Sequence, residues 1–204
     1  PRRVVVIPNG IDEAFFEVVD AELLARVRAE RRLPECFVLH VGNVKPHKNL
    51  ERLVDAFALL DARGQRAGIE LVLAGAGPEK TAPLLRRAAQ AGIGERVHAL
   101  GWLEFDELRA LYRLARAFAF PSLVEGFGLP PLEALASGLP TLVADTPALV
   151  EVCADAAVWV DPYDVAAIAA GLVEVTSNES LRTDLVRRGL ARSKRFRRLD
   201  QARA

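Results

Sequence analysis

Two carboxylates, Glu125 and Glu133, bracket the run Gly126-Phe127-Gly128-Leu129-Pro130-Pro131-Leu132. Prolines are tolerated in a helix's first turn, where an N–H needs no partner. The run therefore reads as a loop entering a short helix at Leu129. The free N–H groups of such an entrance, with the helix dipole behind them, favour an anion, typically a phosphate. Carboxylates beside a phosphate cradle should repel it. They make sense if each accepts hydrogen bonds from hydroxyls of one ligand, as a sugar offers. The alternative puts Glu133 in the first helical turn as a complement to the dipole, with Glu125 a solvated loop residue. Spacing alone leaves both open.

A second group lies in Gly42-Asn43-Val44-Lys45-Pro46-His47-Lys48-Asn49. Lys48 is suited to neutralise a diphosphate, and His47 either assists or faces solvent. An isolated lysine would more often be a surface residue; a shared rim with the Glu125 turn favours the phosphate role. Gly75-Ala76-Gly77-Pro78-Glu79-Lys80 begins like a dinucleotide fingerprint, but Lys80 stands where the third glycine belongs. It also follows the domain's second strand rather than its first, so it is weak as a sign of NAD. Gly101-Trp102 marks a further turn.

The elements that must position these residues alternate short apolar runs with longer amphipathic ones. Strands are expected at 4–7, 37–41, 69–73, 97–100, 117–120, 141–144 and 157–160, most of them stopped by glycine or proline. Helices are expected at 21–32, 49–60, 80–91, 106–115 (capped by Asp106), 129–137 and 146–152, with a helical stretch from Asp164 ending in a basic segment at 187–198. Leu50, Leu53, Val54, Phe57 and Leu60 stand at helical spacing. Continuous apolar strands separated by helices indicate a parallel sheet covered on both faces, a doubly wound α/β domain. In such sheets ligands bind beyond the carboxyl ends of the strands. Gly42, Gly75, Gly77, Gly101, Gly126 and Gly128 all fall there, where glycine admits close backbone approach.

Composition bounds the function. Hydrophobic residues make up 51% of the 204, enough for a sizeable core, and 27 basic residues balance 27 acidic ones. A zero formal charge gives no reason to expect nucleic acid, which usually leaves a basic excess. The two cysteines, Cys36 and Cys153, sit in apolar runs and read as buried free thiols. No apolar run reaches the roughly 18 residues of a transmembrane helix, and no signal peptide is visible. The chain opens at Pro1 without any Met, so a fragment of a longer polypeptide is expected.

Together these motifs resemble the retaining GT-B glycosyltransferases called glycosyltransferase group 1, or family 4. The resemblance spans nearly the whole chain. Ile7-Pro8-Asn9-Gly10-Ile11-Asp12 is similar to the passage from the family's N-terminal to its C-terminal domain, making 1–32 a connecting segment and 33–204 the donor-binding, Rossmann-like domain. Gly42 to Asn49 is similar to its first phosphate loop, Gly75 to Pro78 to its second, and Gly101-Trp102 to its base-contacting turn. Glu125 to Glu133 matches its E-x7-E motif, the most specific feature of the set. The resemblance implies that Glu125 contacts the donor hexose near its 3- and 4-hydroxyls. Backbone N–H groups of Gly126, Phe127, Gly128 and Leu129 would hold the diphosphate and sugar. Glu133 would bind the ribose hydroxyls, and Lys48 would stabilise the leaving group. It implies transfer of a mannose- or glucose-type hexose from GDP-mannose or a UDP-hexose to a glycan or lipid-linked acceptor. No metal or other cofactor would be needed. The location implied is cytoplasmic, with the full enzyme associated peripherally with the inner face of the membrane where its acceptor is lipid-linked. The acceptor-binding N-terminal domain is missing, so the chain alone is expected to bind donor weakly and transfer nothing. One departure is Asn43, where many members have an arginine, and His47 stands where a bacterial subgroup has another.

Two other readings compete. A dehydrogenase domain would need G-x-G-x-x-G after the first strand and an acidic residue ending the second; neither is seen. A non-catalytic nucleotide-binding or assembly module is opposed by the intact pair Glu125 and Glu133 but kept alive by Asn43.

Overall fold

The computed structural model describes residues 8–64 and 68–197. The expected strand at 4–7 and the last residue of the basic segment, Arg198, lie outside the described residues. The order is α1 (Ala21–Glu30), β1 (Phe37–Val41), α2 (Leu50–Ala62), β2 (Glu70–Ala74), α3 (Pro78–Gln90), β3 (Val97–Ala99), α4 (Phe105–Leu114), β4 (Ala117–Phe120), α5 (Leu129–Ala136), β5 (Thr141–Ala144), α6 (Pro147–Cys153), β6 (Val158–Val160), α7 (Val165–Ser177) and α8 (Glu179–Ser193).

Six strands form one sheet in the order β3-β2-β1-β4-β5-β6, and every neighbouring pair is parallel. Alternate side chains of a strand point to opposite faces, and two separate apolar clusters result. Leu39, Val72, Phe118, Phe120 and Val143 face α4, α5 and α6. Val38, Leu71, Leu73, Ala119 and Leu142 face α2, α3 and α7. Both faces are covered, as the unbroken apolar strands require. All five apolar positions expected on α2 are buried.

Strand order reverses between β1 and β4, where Leu39 stands beside Phe118. A crevice opens beyond the carboxyl ends at such a switch point.

Details differ from the sequence reading where tertiary partners intervene. The helix expected from Asp106 begins at Phe105, because Glu107 accepts a hydrogen bond from the Glu104 N–H at 2.9 Å and fixes the entrance one residue earlier. The helical stretch after Asp164 is two helices, broken at Asn178, whose carboxamide oxygen accepts from the Leu181 N–H. The basic segment leaves the helix at Ser193. Of the cysteines, Cys153 is buried, and burial pushes its thiol up to about 12. Cys36 is only partly buried.

The residues before β1 share the first cluster. Ile11, Phe15, Val19 and Val27 are buried in it. Arg31 grips Glu107 through two hydrogen bonds of 2.8 and 2.7 Å, tying α1 to α4. The Ile11 N–H donates to the Phe196 carbonyl at 2.8 Å, so the two ends of the described chain meet.

Candidate nucleotide-sugar site

The turns after the central strands are laced edge to edge. The Gly42 N–H donates to the Ala74 carbonyl at 2.9 Å and the Gly75 N–H to the Gly101 carbonyl at 2.8 Å. Gly75 has φ +93°, and a Cβ there would sit 3.2 Å from the Gly42 backbone. Only glycine satisfies both the conformation and the contact. A cleft of about 300 Å³ opens along this rim, lined by Gly42, Asn43, Gly75, Trp102, Leu103 and Leu108 among others. Trp102 is 71% exposed at its mouth. Gly77 is the N-cap of α3, with Glu79 folded against it.

Lys48 ends a short 3-10 turn, Pro46–Lys48, between β1 and α2. Its Nζ lies 2.6 Å from Glu125 Oε1 and 4.6 Å from the centre of the Phe120 ring. The two charged side chains are 12% and 11% exposed. The backbone supports the pair, since the Leu123 N–H donates to the His47 carbonyl at 2.7 Å. Two residues 77 positions apart, each singled out for chemistry, thus meet at the switch point.

Asn49 is the clasp behind them, and sequence reasoning gave it no role. It adopts the left-handed conformation (φ 61°), which asparagine tolerates better than most residues. Its carboxamide N–H groups donate to the Pro121 carbonyl at 3.0 Å and the Pro162 carbonyl at 2.6 Å. Its oxygen accepts from Arg52 at 2.9 Å. One buried side chain therefore ties the β1, β4 and β6 turns together. Asn49→Ala is expected to destabilise by about 2–4 kcal/mol, since two carbonyls lose their donors in a buried site. Thermal and denaturant unfolding measure it.

His40, on β1, is wholly buried and stacks on Phe120 at 5.4 Å. Its Nδ1 is 2.9 Å from the Ala119 carbonyl. Only a protonated nitrogen can donate there, which leaves Nε2 a bare acceptor. Burial pushes its pKa down to about 4, and Lys48 adds to the effect, so the imidazole is neutral.

At the α5 entrance the glycines divide. Gly128 has φ +109° as N-cap, and a Cβ there would come 2.8 Å from a Leu149 methyl. Gly126 has open space around it. The Phe127 ring packs edge-on to Phe196 at 5.9 Å. Leu129 is partly exposed. Asn43 Oδ1 is buried without a hydrogen-bond partner among the described residues.

Glu133 corrects an expectation. It lies in the second turn of α5, and no acidic residue occupies the first. It therefore does not complement the helix end. Its Oε2 accepts from the Tyr112 hydroxyl at 2.9 Å. Burial pushes its pKa up, with the Tyr112 hydrogen bond opposing the shift.

Comparison with known proteins identifies the family. The model of the family described as glycosyl transferases group 1 matches residues 25–192. The chain belongs to that family. It is 34% identical over 197 residues to the serotype-specific mannosyltransferase WbdA of Escherichia coli, covering 95% of this chain and 24% of that protein. It is 36% identical over 197 residues to the O-antigen chain mannosyltransferase B of Escherichia coli, covering 95% of this chain and 51% of that protein. The chain thus spans between about a quarter and a half of the length of these curated relatives. Among solved structures, Anabaena HepE in complex with UDP and glucose superposes with a TM-score of 0.83 at 20% identity, covering 98% of this chain and 55% of that one. The doubly wound parallel sheet that the strand pattern implied is present, and the GT-B glycosyltransferase fold that the resemblance implied agrees with it.

Proposed function

We propose that the chain is the donor-binding domain of a retaining glycosyltransferase. It would take a nucleoside diphosphate sugar and pass its hexose, of mannose or glucose type, to a glycan or lipid-linked acceptor. The observation that carries this is the contact of Lys48, from the β1 turn, with Glu125, which directly precedes the α5 entrance and its unobstructed Gly126. A cation and a helix entrance suit the diphosphate. The carboxylates suit hydroxyls.

In this reading the bond from the anomeric carbon to the diphosphate oxygen breaks while Lys48 and the N–H groups of 126–129 hold the departing charge. The acceptor oxygen joins the same face of the sugar, and its proton passes to the leaving diphosphate. Glu125 holds the hexose hydroxyls and Glu133 those of the ribose. Lys48 and the helix entrance do this without a metal ion. Residues 33–204 form the donor domain and 1–32 the connection to an acceptor-binding partner domain. Without that domain the chain binds donor weakly and transfers nothing. The names of the mannosyltransferase relatives favour GDP-mannose; the UDP and glucose in HepE support the UDP-hexose alternative. The full enzyme works in the cytoplasm, at the inner face of the membrane where its acceptor is lipid-linked.

Calorimetric titration with UDP, GDP and their sugars tests the reading. Glu133→Ala should weaken the nucleoside diphosphate itself by about 10–100-fold, the range for a lost hydrogen bond to a charged group. Glu125→Ala should weaken only the sugar-bearing forms, by a similar factor. Equal losses on both ligands would contradict the division of roles. No binding at millimolar concentration, with NAD bound instead, would end the reading.

A further inference from the structure

The Tyr112 hydroxyl is buried where a phenylalanine would pack as well. Tyr112 is 1% exposed, with Phe15 against its ring at 5.8 Å and Phe118 at 5.6 Å. An apolar cluster is a costly place for a hydroxyl unless it has an acceptor. Here it has one strong acceptor, Glu133 Oε2 at 2.9 Å, and a weak one, the Pro130 carbonyl at 3.4 Å. Both belong to α5, whereas Tyr112 belongs to α4. The hydroxyl therefore connects to the helix that opens the phosphate cradle.

A phenol has one proton to give. Donating it to Oε2 leaves Oε1, which has no hydrogen-bond partner among the described residues. We propose that Tyr112 is a positioning residue for the nucleotide site: its hydroxyl holds Oε2 of Glu133 so that the carboxylate presents Oε1 to a pair of ligand hydroxyls. This rests on the reading of Glu133 as the ribose-binding group. Without the hydroxyl, Glu133 would keep its place on α5 but lose the partner that favours its charged form. Burial and the nearby carboxylate keep the phenol protonated well past the ordinary range, so it donates throughout.

The other charges near this contact are engaged elsewhere. On α4, Arg113 donates to the Ser137, Phe15 and Glu17 carbonyls, and Arg109 to the Ala14 carbonyl. On the Glu13–Phe16 turn, Glu13 pairs with Arg197. On α8, Arg192 donates to the Val152 carbonyl at the end of α6 and Arg188 to the Asp155 carbonyl just beyond it. Across the crevice, Glu125 pairs with Lys48. Tyr112 is thus the group of α4 that bears on the charge of Glu133.

The test is titration of the chain with UDP and GDP between pH 5 and 8.5, for wild type, Tyr112→Phe, Glu133→Gln and the double variant. Affinity should be complete while Glu133 is ionised and fall as pH drops through its pKa. Tyr112→Phe removes a hydrogen bond that lowers that pKa. Its affinity should drop about three- to tenfold at neutral pH, and the acid fall should begin at higher pH. The ligand's own phosphate titration is common to all variants and cancels. On the Glu133→Gln background Tyr112→Phe should add less than twofold. A 3-fluorotyrosine at 112, a more acidic donor in the same ring, should move the acid fall to lower pH. Wild-type affinity and profile for Tyr112→Phe would overturn the proposal while leaving the nucleotide site standing. So would an undiminished loss in the double variant. If wild type binds neither ligand, the site reading itself fails and takes the proposal with it.

Discussion

Lys48→Met should remove measurable binding of nucleoside diphosphates and, in the same variant, destabilise the fold. The two effects have separate causes. Among the described residues Lys48 is the only cation placed against Glu125, at 2.6 Å, and both side chains are about nine-tenths covered. Removing one partner of a buried ion pair leaves the other charge desolvated, at a cost of about 3–5 kcal/mol when burial is complete. Residual exposure lowers the expected figure to about 2–3 kcal/mol. Glu125→Gln added to Lys48→Met takes that charge away, so the double variant should regain most of the lost stability. It should regain none of the binding, because the diphosphate still lacks its cation. A loss of about 100-fold or more is expected, in line with truncating a close charge partner. Calorimetric scans and titrations of the two variants separate the effects. If Lys48→Met bound diphosphate as well as wild type does, Lys48 would be a structural partner of Glu125 and nothing more.

The pair also explains why each charge is tolerated where it stands. Lys48 and Glu125 neutralise one another, and either alone would be a nearly buried, unpaired charge.

What the sequence disclosed follows from what is local. A strand's apolar run and the glycine or proline that ends it are neighbours in the chain, so β1 to β6 were legible within a residue or two. Because sheets of this kind bind ligands at one rim, the turns at Gly42, Gly75, Gly101 and Gly126 could be assigned to a single surface before any contact was known. Glu125 and Lys48 were legible as chemistry for the same reason. Their direct contact was not, since Lys48 was read against a diphosphate and Glu125 against sugar hydroxyls, rather than each against the other.

The rest depended on partners far away in the chain. Tyr112 lies within the helix expected at 106–115 and drew no reading of its own, and only the approach of α5 gives its hydroxyl an acceptor. Asn49 was noted as part of a phosphate-loop run; its left-handed backbone and its reach to Pro121 and Pro162 are tertiary facts. His40 looked like a strand residue among apolar ones, and its neutrality comes from complete burial. The helix begins at Leu129, as expected, but Glu133 is then its fifth residue and stands in the second turn rather than the first. Its partner there, the Tyr112 hydroxyl, comes from α4, which no local pattern discloses.

Gly126→Ala separates residues that the fold requires from residues that a ligand requires. At Gly75 the backbone is left-handed, and a methyl group would press on the backbone of Gly42 at 3.2 Å. Alanine there should cost about 1–3 kcal/mol, the range for a strained backbone position, so its effect on binding would be confounded with folding. Gly126 is different. No atom lies within 4 Å of where its Cβ would stand, and its φ is outside the left-handed range. Alanine at such a surface position should change stability by no more than about 0.5 kcal/mol, and could raise it slightly by restricting the unfolded chain. The fold therefore does not explain a glycine at this point. A ligand approaching the backbone of 126–129 would explain it, since a methyl group would occupy the space of a phosphate or sugar oxygen. Gly126→Ala should weaken nucleoside diphosphate sugars by about tenfold or more, the scale of a displaced hydrogen bond to a charged group, and Gly126→Val should weaken them further. The midpoint of thermal unfolding should stay within about 2 °C of wild type in the alanine variant. Full affinity in the valine variant would mean that no ligand approaches Gly126, and the cradle would have to be sought along the Gly42 and Gly75 turns instead.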